Sequence, residues 1–117
     1  MQEIKLAVPT EGKKGLENVV SEVFGKAKTF TIVEISENSI GDVNIVENPA
    51  VSYKHGAGPI VVKMLVDMGV NVVVAREFGP GALALLEQHN VTKIEVKTGV
   101  SVAEAIEHVL KYFEENT

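Results

Sequence analysis

Hydrophobic and polar positions follow two periods along the chain, and these predict alternating strands and helices. Ile4, Leu6 and Val8 alternate with Lys5 and Ala7, a period of two that is typical of a strand, and Pro9 is expected to end it. Other apolar or alternating runs predict four more strands, at 30–35, 43–46, 70–75 and 91–96. The run at 70–75 is continuously apolar, which is typical of a central strand buried on both faces.

Helical spacing occurs in three places. Apolar positions repeat with this period over 60–68, after Pro59 and before Gly69, and a second helix is predicted over 82–89 with Leu83 and Leu86 facing inward. Ser101 followed by Glu104 forms a capping box, which predicts the start of the last helix. Glycines interrupt residues 10–28, which are interpreted as a long, partly ordered loop.

This order of elements predicts an α/β fold, a three-layer α/β/α sandwich around a mixed five-stranded sheet. With strand one central, the strand order is 3-2-1-4-5 and strand two is antiparallel to the others, which resembles the ribonuclease H-like arrangement. The length of 117 residues predicts a single domain spanning 1–117.

Composition narrows the classes of function. Hydrophobic residues make up 45% of the chain and charged residues 23%, which is typical of a globular protein. The net charge of −5 argues against nucleic acid as a partner, and no apolar run is long enough to cross a membrane. The alternating N-terminus is interpreted as a strand and not a secretion signal, so the cytoplasm is the expected compartment. The chain has no cysteine, which excludes thiolate metal sites.

Several turns are predicted to meet at one edge of the sheet, because parallel strands end on the same side. These are the end of strand one at Thr10, the turns at 76–81 and 97–101, and the turn that begins at His55. Helix N-termini with glycines suit an anion, and Arg76 and Lys97 would add positive charge. Glycine and proline are also common at helix starts for structural reasons alone, so both explanations stay open.

His55 has three open roles: metal ligation, hydrogen bonding to a ligand, or capping of the helix start. It is the only candidate metal ligand in these turns, and one histidine does not define a metal site. The chain lacks the nucleotide-binding, hydrolase and metalloprotease motifs, and the predicted central strands carry no carboxylates for a two-metal nuclease. An enzyme is therefore not expected.

Short motifs along nearly the whole chain resemble the dinitrogenase iron-molybdenum cofactor biosynthesis family. They are Phe24-Gly25-Lys26-Ala27, Phe30 with Ile32-Val33-Glu34, Glu47-Asn48-Pro49, Gly56-Ala57-Gly58, Gly69-Val70 with 72–74, Gly79-Pro80-Gly81-Ala82, and Ser101-Val102 with Glu104-Ala105. The resemblance implies a small ribonuclease H-like accessory domain that binds or carries an iron-sulfur or iron-molybdenum cofactor precursor. One departure is Val23, where members that handle the cofactor often have histidine.

The resulting hypothesis is a non-enzymatic carrier that holds an anionic metal-sulfur cluster and exchanges it with a cluster-donor or cluster-acceptor protein. Its expected binding residues are Phe24, Gly25, His55, Gly56, Gly58, Arg76, Gly79 and Gly81. Two alternatives stay open: a sensor of small molecules or nucleotides that uses the same edge, and a protein-interaction module that pairs through strand three.

Overall fold

A five-stranded sheet forms the middle layer of the computed structural model, which describes residues 3–97 and 99–116. In chain order the elements are β1 (Glu3–Thr10), β2 (Thr29–Ser36), β3 (Ser39–Glu47), α1 (Ala57–Asp67), β4 (Val72–Ala75), α2 (Pro80–Gln88), β5 (Thr92–Glu95) and α3 (Val102–Glu115). No helix in these ranges is long and apolar enough to cross a membrane.

The strand order is β3-β2-β1-β4-β5, which confirms the predicted order and the ribonuclease H-like arrangement. β1 runs parallel to β4, and β4 runs parallel to β5, while β2 is antiparallel to both of its neighbours. All four residues of β4 are buried, because helices cover both faces of the sheet at this strand.

Alternation along β1 divides the apolar core into two layers. Ala7 lies in the layer that packs against α1 and α2, whereas Leu6 and Val8 lie in the layer that packs against α3. Successive side chains of a strand point to opposite faces, so one strand contributes to both layers. The predicted three-layer sandwich is therefore confirmed.

β1 continues through Pro9 to Thr10, and the prediction that Pro9 ends the strand is wrong. The carbonyl of Pro9 accepts a hydrogen bond from the backbone N–H of Ser21, on the side away from β2. The backbone nitrogen of a strand residue points the same way as its carbonyl, so the missing N–H of Pro9 removes no hydrogen bond to β2.

The helices begin earlier than the apolar spacing predicted. α1 begins at Ala57 and α2 at Pro80, so both prolines fall within a first helical turn. The buried residues of α1 include Val62, while Ile60, the first apolar position of the predicted repeat over 60–68, is 37% exposed. In α2, Leu83 is half-buried, and the buried residues are Ala82 and Leu86.

Residues 10–28 are more ordered than a long loop. They contain two short 3-10 turns, Gly15–Glu17 and Phe24–Lys26, and isolated bridges that join Val20 to Thr10 and Val23 to Glu77. Single bridges of this kind leave no periodic signal in the sequence, because each depends on a partner distant in the chain.

The predicted capping box at the start of α3 is confirmed. The Ser101 hydroxyl accepts a hydrogen bond from the backbone N–H of Glu104 at 3.1 Å, and the Glu104 carboxylate accepts one from the backbone N–H of Ser101 at 2.9 Å. The hydrogen bond that the carboxylate accepts from the Ser101 backbone and, second, its interaction with the Ser101 hydroxyl lower the pKa of the Glu104 carboxyl.

Replacing Glu104 by glutamine should reduce stability in a pH-dependent way. A lowered folded-state pKa contributes stability that is fully present above the unfolded-chain value for glutamate, about 4.3, and is lost as the pH falls through the folded-state pKa. Urea unfolding of wild type and Glu104→Gln should therefore show a difference at pH 7 that shrinks below about pH 4. Glu107→Gln removes a charge farther along α3 and serves as the control. A Glu104→Gln difference that stays constant with pH would contradict this explanation.

Candidate functional site

The central crevice of this topology is closed by a crossing segment, residues 20–24. Ligands of open α/β sheets commonly bind between the carboxyl ends of strands where the strand order reverses, here β1 and β4. The crossing segment pairs with both ends, since the N–H of Ser21 donates to the carbonyl of Pro9 at 2.7 Å and the N–H of Phe24 donates to the carbonyl of Glu77 at 3.1 Å. Thr10, at the end of β1, is fully buried.

The predicted common edge is consequently divided into separate cavities. One is an open groove of about 510 Å³ on the α1 and α2 side, called the glycine groove below. Another, of about 720 Å³, lies beyond the ends of β4 and β5 and contains Arg76 and Lys97. Val23 and Gly79 line both. Residue 98 of the predicted 97–101 turn lies outside the described residues.

Three chain segments converge to form the glycine groove, and two glycines permit their close approach. A Cβ atom added at Gly25 would lie 3.2 Å from the backbone nitrogen of Gly58, and one added at Gly58 would lie 3.3 Å from the Cβ of Ala82. Any larger residue at position 25 would thus push the Phe24–Lys26 turn away from α1. The glycines place this turn and the starts of α1 and α2 around one space.

Asn48 holds the Phe24–Lys26 turn in place through buried hydrogen bonds. Its buried side-chain amide donates to the carbonyls of Gly25 at 3.1 Å and Ala27 at 2.8 Å, and its side-chain oxygen accepts from the N–H of Ala50 at 2.8 Å. One side chain thereby satisfies three backbone groups and joins the Phe24–Lys26 turn to the connection that leads to His55.

Two further glycines face the groove for different reasons. Gly56 caps α1 with φ of 77°, a left-handed conformation that favours glycine. Gly79 precedes α2 with φ of −68° and ψ of 157°, which any residue adopts, and a Cβ atom added there would meet no atom within 4 Å. The packing of the described residues does not require glycine at position 79, whereas close approach of a ligand to the backbone would.

The full charges that line the groove are those of Lys26 and Lys54, and both are positive. Lys26, Lys54 and His55 contribute to its wall, and no aspartate or glutamate does so among the described residues. The first turns of α1 and α2 add backbone N–H groups that have no partner within their helices, for example that of Gly81. Helix N-termini also carry partial positive charge, so the groove is suited to an anion.

Most of the expected binding residues meet at this groove, and two do not. Those that line it are Gly25, His55, Gly56, Gly58, Gly79 and Gly81. Phe24 is fully buried, with its ring 5.4 Å from that of Phe30 and 5.3 Å from that of Phe78, so its expected contact with a ligand is corrected to a core role. Arg76 lies in the other cavity, 3.9 Å from a carboxylate oxygen of Glu77.

Lys26 and Lys54 were not among the expected binding residues. Each is adjacent to one that was, since Lys26 follows Gly25 and Lys54 precedes His55. A cation beside a glycine turn is a usable signal, but surface lysines are so common that proximity in sequence alone does not distinguish these two.

A metal ion held by several protein side chains does not fit this site. Residues 3–97 and 99–116 contain no cluster of three histidine, aspartate or glutamate side chains suited to a metal ion, and the chain has no cysteine. His55 is exposed and offers a single imidazole. The donors present suit a cluster that brings its own sulfide ligands and carries net negative charge.

Comparison with known proteins places the chain among nitrogenase-related sequences and structures. Residues 4–112 match the model of the family described as dinitrogenase iron-molybdenum cofactor. An uncharacterized protein of Methanocaldococcus jannaschii is 31% identical over 108 residues, which cover 92% of this chain and 86% of that protein.

Two solved structures extend the comparison. The apo form of the orange protein from Desulfovibrio gigas has a TM-score of 0.82 and 27% identity, covering 92% of this chain and 88% of that one. The NMR structure of a candidate NifB protein from Thermotoga has a TM-score of 0.75 and 34% identity, with the same coverage of 92% and 88%.

Alanine substitutions should distinguish a groove glycine that close packing requires, Gly25, from one that it does not, Gly79. Gly25→Ala should lower the free energy of unfolding by about 1–3 kcal/mol, because the added methyl group meets the backbone of Gly58. Gly79→Ala should lower it by less, about 0.5–1 kcal/mol, because the methyl group projects into open space and only the N-cap preference for glycine over alanine is lost. Urea unfolding measures both values. Equal stability of the two variants would contradict the proposed close packing.

Proposed function

Because the chain belongs to the dinitrogenase iron-molybdenum cofactor family, we propose that its glycine groove holds an anionic metal-sulfur cluster. The cluster, an iron-sulfur or iron-molybdenum cofactor precursor, is cargo and not a resident catalytic group. The observation that carries this proposal is the wall of the groove, in which Lys26, Lys54 and His55 accompany two helix N-termini without an opposing carboxylate among the described residues.

Gly79 supports the proposal independently of charge. Its conformation and its surroundings both permit a side chain, so the missing side chain leaves room for a ligand against the start of α2. Backbone N–H groups there would donate hydrogen bonds to the outer sulfur atoms of a cluster. One structural relative, the orange protein, has a structure of its apo form.

The proposed role is that of a non-enzymatic carrier. The groove presents cations, glycines and prolines, and no acid and base pair is positioned there for proton transfer. Its open shape would let a donor protein deliver the cluster and an acceptor protein remove it. We place this exchange in the cytoplasm.

Phosphate-containing ligands are the competing class, because the same donors bind phosphate. The cavity that contains Arg76 is less suited to phosphate-containing ligands than the glycine groove is. Glu77 and Glu95 also line that cavity and balance the charges of Arg76 and Lys97.

Anaerobic titration with tetrathiomolybdate, a metal-sulfur dianion, tests the proposal. Equilibrium dialysis with molybdenum analysis should show uptake by wild type that weakens with added salt. Lys54→Met should weaken binding roughly three- to tenfold through loss of one cation at the groove. Gly79→Ala should also weaken it, because its methyl group occupies ligand space.

Lys97→Met is the matched control, because Lys97 lies in the neighbouring cavity. The affinity of this variant for tetrathiomolybdate should equal that of wild type. Parallel reconstitution with ferrous iron and sulfide, comparing wild type with His55→Ala, determines whether the imidazole ligates iron. Wild type that retains neither molybdenum nor iron would refute the cluster proposal. Stronger stabilisation by phosphate or nucleotides than by tetrathiomolybdate would favour the sensor alternative.

A further inference from the structure

Lys26 differs from the other cations of the groove because its ammonium group already has a partner in the protein. Its Nζ atom donates a hydrogen bond to the backbone carbonyl of Tyr53 at 2.6 Å. An ammonium group has three N–H donors, so two remain for another acceptor. Lys26 lines the groove as well, and it therefore contacts the loop and the ligand space together.

The loop that Lys26 contacts has few other attachments. All side chains from 51 to 56 are exposed. The N–H of Tyr53 donates to the carbonyl of Ala50 at 3.0 Å, and regular structure resumes at the buried Ala57. Between these points, Lys54 and His55 form no backbone hydrogen bond within the described residues. The two hydrogen bonds of Tyr53, one of them from Lys26, are thus the nearest preceding attachments of Lys54 and His55.

We propose that Lys26 is a positioning residue, which holds Lys54 and His55 at the groove and couples the order of the 51–56 loop to anion binding. The anion half of this inference depends on the proposed function, whereas the positioning half does not. An anion that enters the groove would accept hydrogen bonds from the two free N–H groups of Lys26, while the third N–H stays bonded to the Tyr53 carbonyl. Binding and loop order then stabilise one another reciprocally.

Lysine suits this role better than arginine. Its compact charge carries three donors that point in different directions, whereas the donors of a guanidinium lie in one plane. A conservative Lys26→Arg variant keeps a donor for the Tyr53 carbonyl and should preserve loop order. Lys26→Met keeps the length of the side chain and removes every donor.

The first experiment measures loop order without any anion. Backbone ¹⁵N relaxation should give order parameters for residues 53–56 near about 0.85 in wild type, Lys26→Arg and the control Lys54→Met. In Lys26→Met they should fall below about 0.6. Thermal unfolding of Lys26→Met should stay close to that of wild type, because the tether is exposed, which separates local loosening from loss of the fold.

The second experiment is a double-mutant cycle with tetrathiomolybdate as the probe. Lys26→Met should weaken binding by about tenfold or more, since both its own charge and the position of the loop are lost. Adding Lys54→Met should then cost less than about twofold, compared with roughly three- to tenfold in wild type. Strictly multiplicative losses would overturn the coupling.

The two experiments also separate failure of this inference from failure of the proposed function. Unchanged order parameters in Lys26→Met would overturn the positioning role, whether or not the protein takes up tetrathiomolybdate. A loosened loop in Lys26→Met, together with no uptake by wild type, would support the positioning role and overturn the proposed cargo.

Discussion

Close contact between the Phe24–Lys26 turn and the first turn of α1 is the constraint on which the groove depends. The contact requires a missing side chain at Gly25, because an added Cβ would stand 3.2 Å from the nitrogen of Gly58. Asn48 reinforces it, because its side-chain amide donates to the carbonyls of Gly25 and Ala27 and its side-chain oxygen accepts from the N–H of Ala50. The Phe24–Lys26 turn cannot move without breaking its buried hydrogen bonds to Asn48. This turn and the helix starts therefore form the fixed part of the groove, and the exposed 51–56 loop forms the side that Lys26 contacts.

The crossing segment explains why the candidate site lies beside the sheet and not above its centre. In this topology the crevice between β1 and β4 is the expected ligand position. Backbone pairing of residues 20–24 with Pro9 and Glu77 occupies that crevice and leaves Val23 at the boundary between cavities. Binding groups are consequently taken from the helix starts on one face, where N–H donors without helical partners remain exposed. The crossing segment thus determines where the candidate site lies, because it fills the central crevice and leaves the starts of α1 and α2 accessible.

Elements specified by local pattern were predictable, and elements specified by distant contacts were not. The continuous apolar run of β4 and the capping box of α3 depend on neighbouring residues, so the sequence alone predicts both. The extension of β1 past Pro9 depends on pairing with β2, which continues from Pro9 opposite Phe30 to Thr10 opposite Thr29. Phe24 was assigned to the site through the Phe24-Gly25 motif of the family resemblance, but its ring lies in the core, where it contacts Phe30 and Phe78. The glycines were predictable as a group, whereas the separation of Arg76 from them was not, because it follows from the crossing segment.

The chemistry of the groove bears on how a carrier could release its cargo. A cluster bound through several thiolates leaves only when protein-metal bonds break, which makes transfer depend on ligand exchange. Here the donors that line the groove are lysine ammonium groups and backbone N–H groups, which would contact the outer atoms of the proposed cluster without replacing its sulfide, beside one exposed imidazole. Such contacts are individually weak in an open, hydrated groove and are screened by salt. The chain as a whole carries a net charge of −5, so this positive groove lies within a negative field that limits its affinity for any anion. In the proposed carrier, contacts of this strength would suit delivery, because an acceptor that forms bonds to the metal would bind the cluster more tightly.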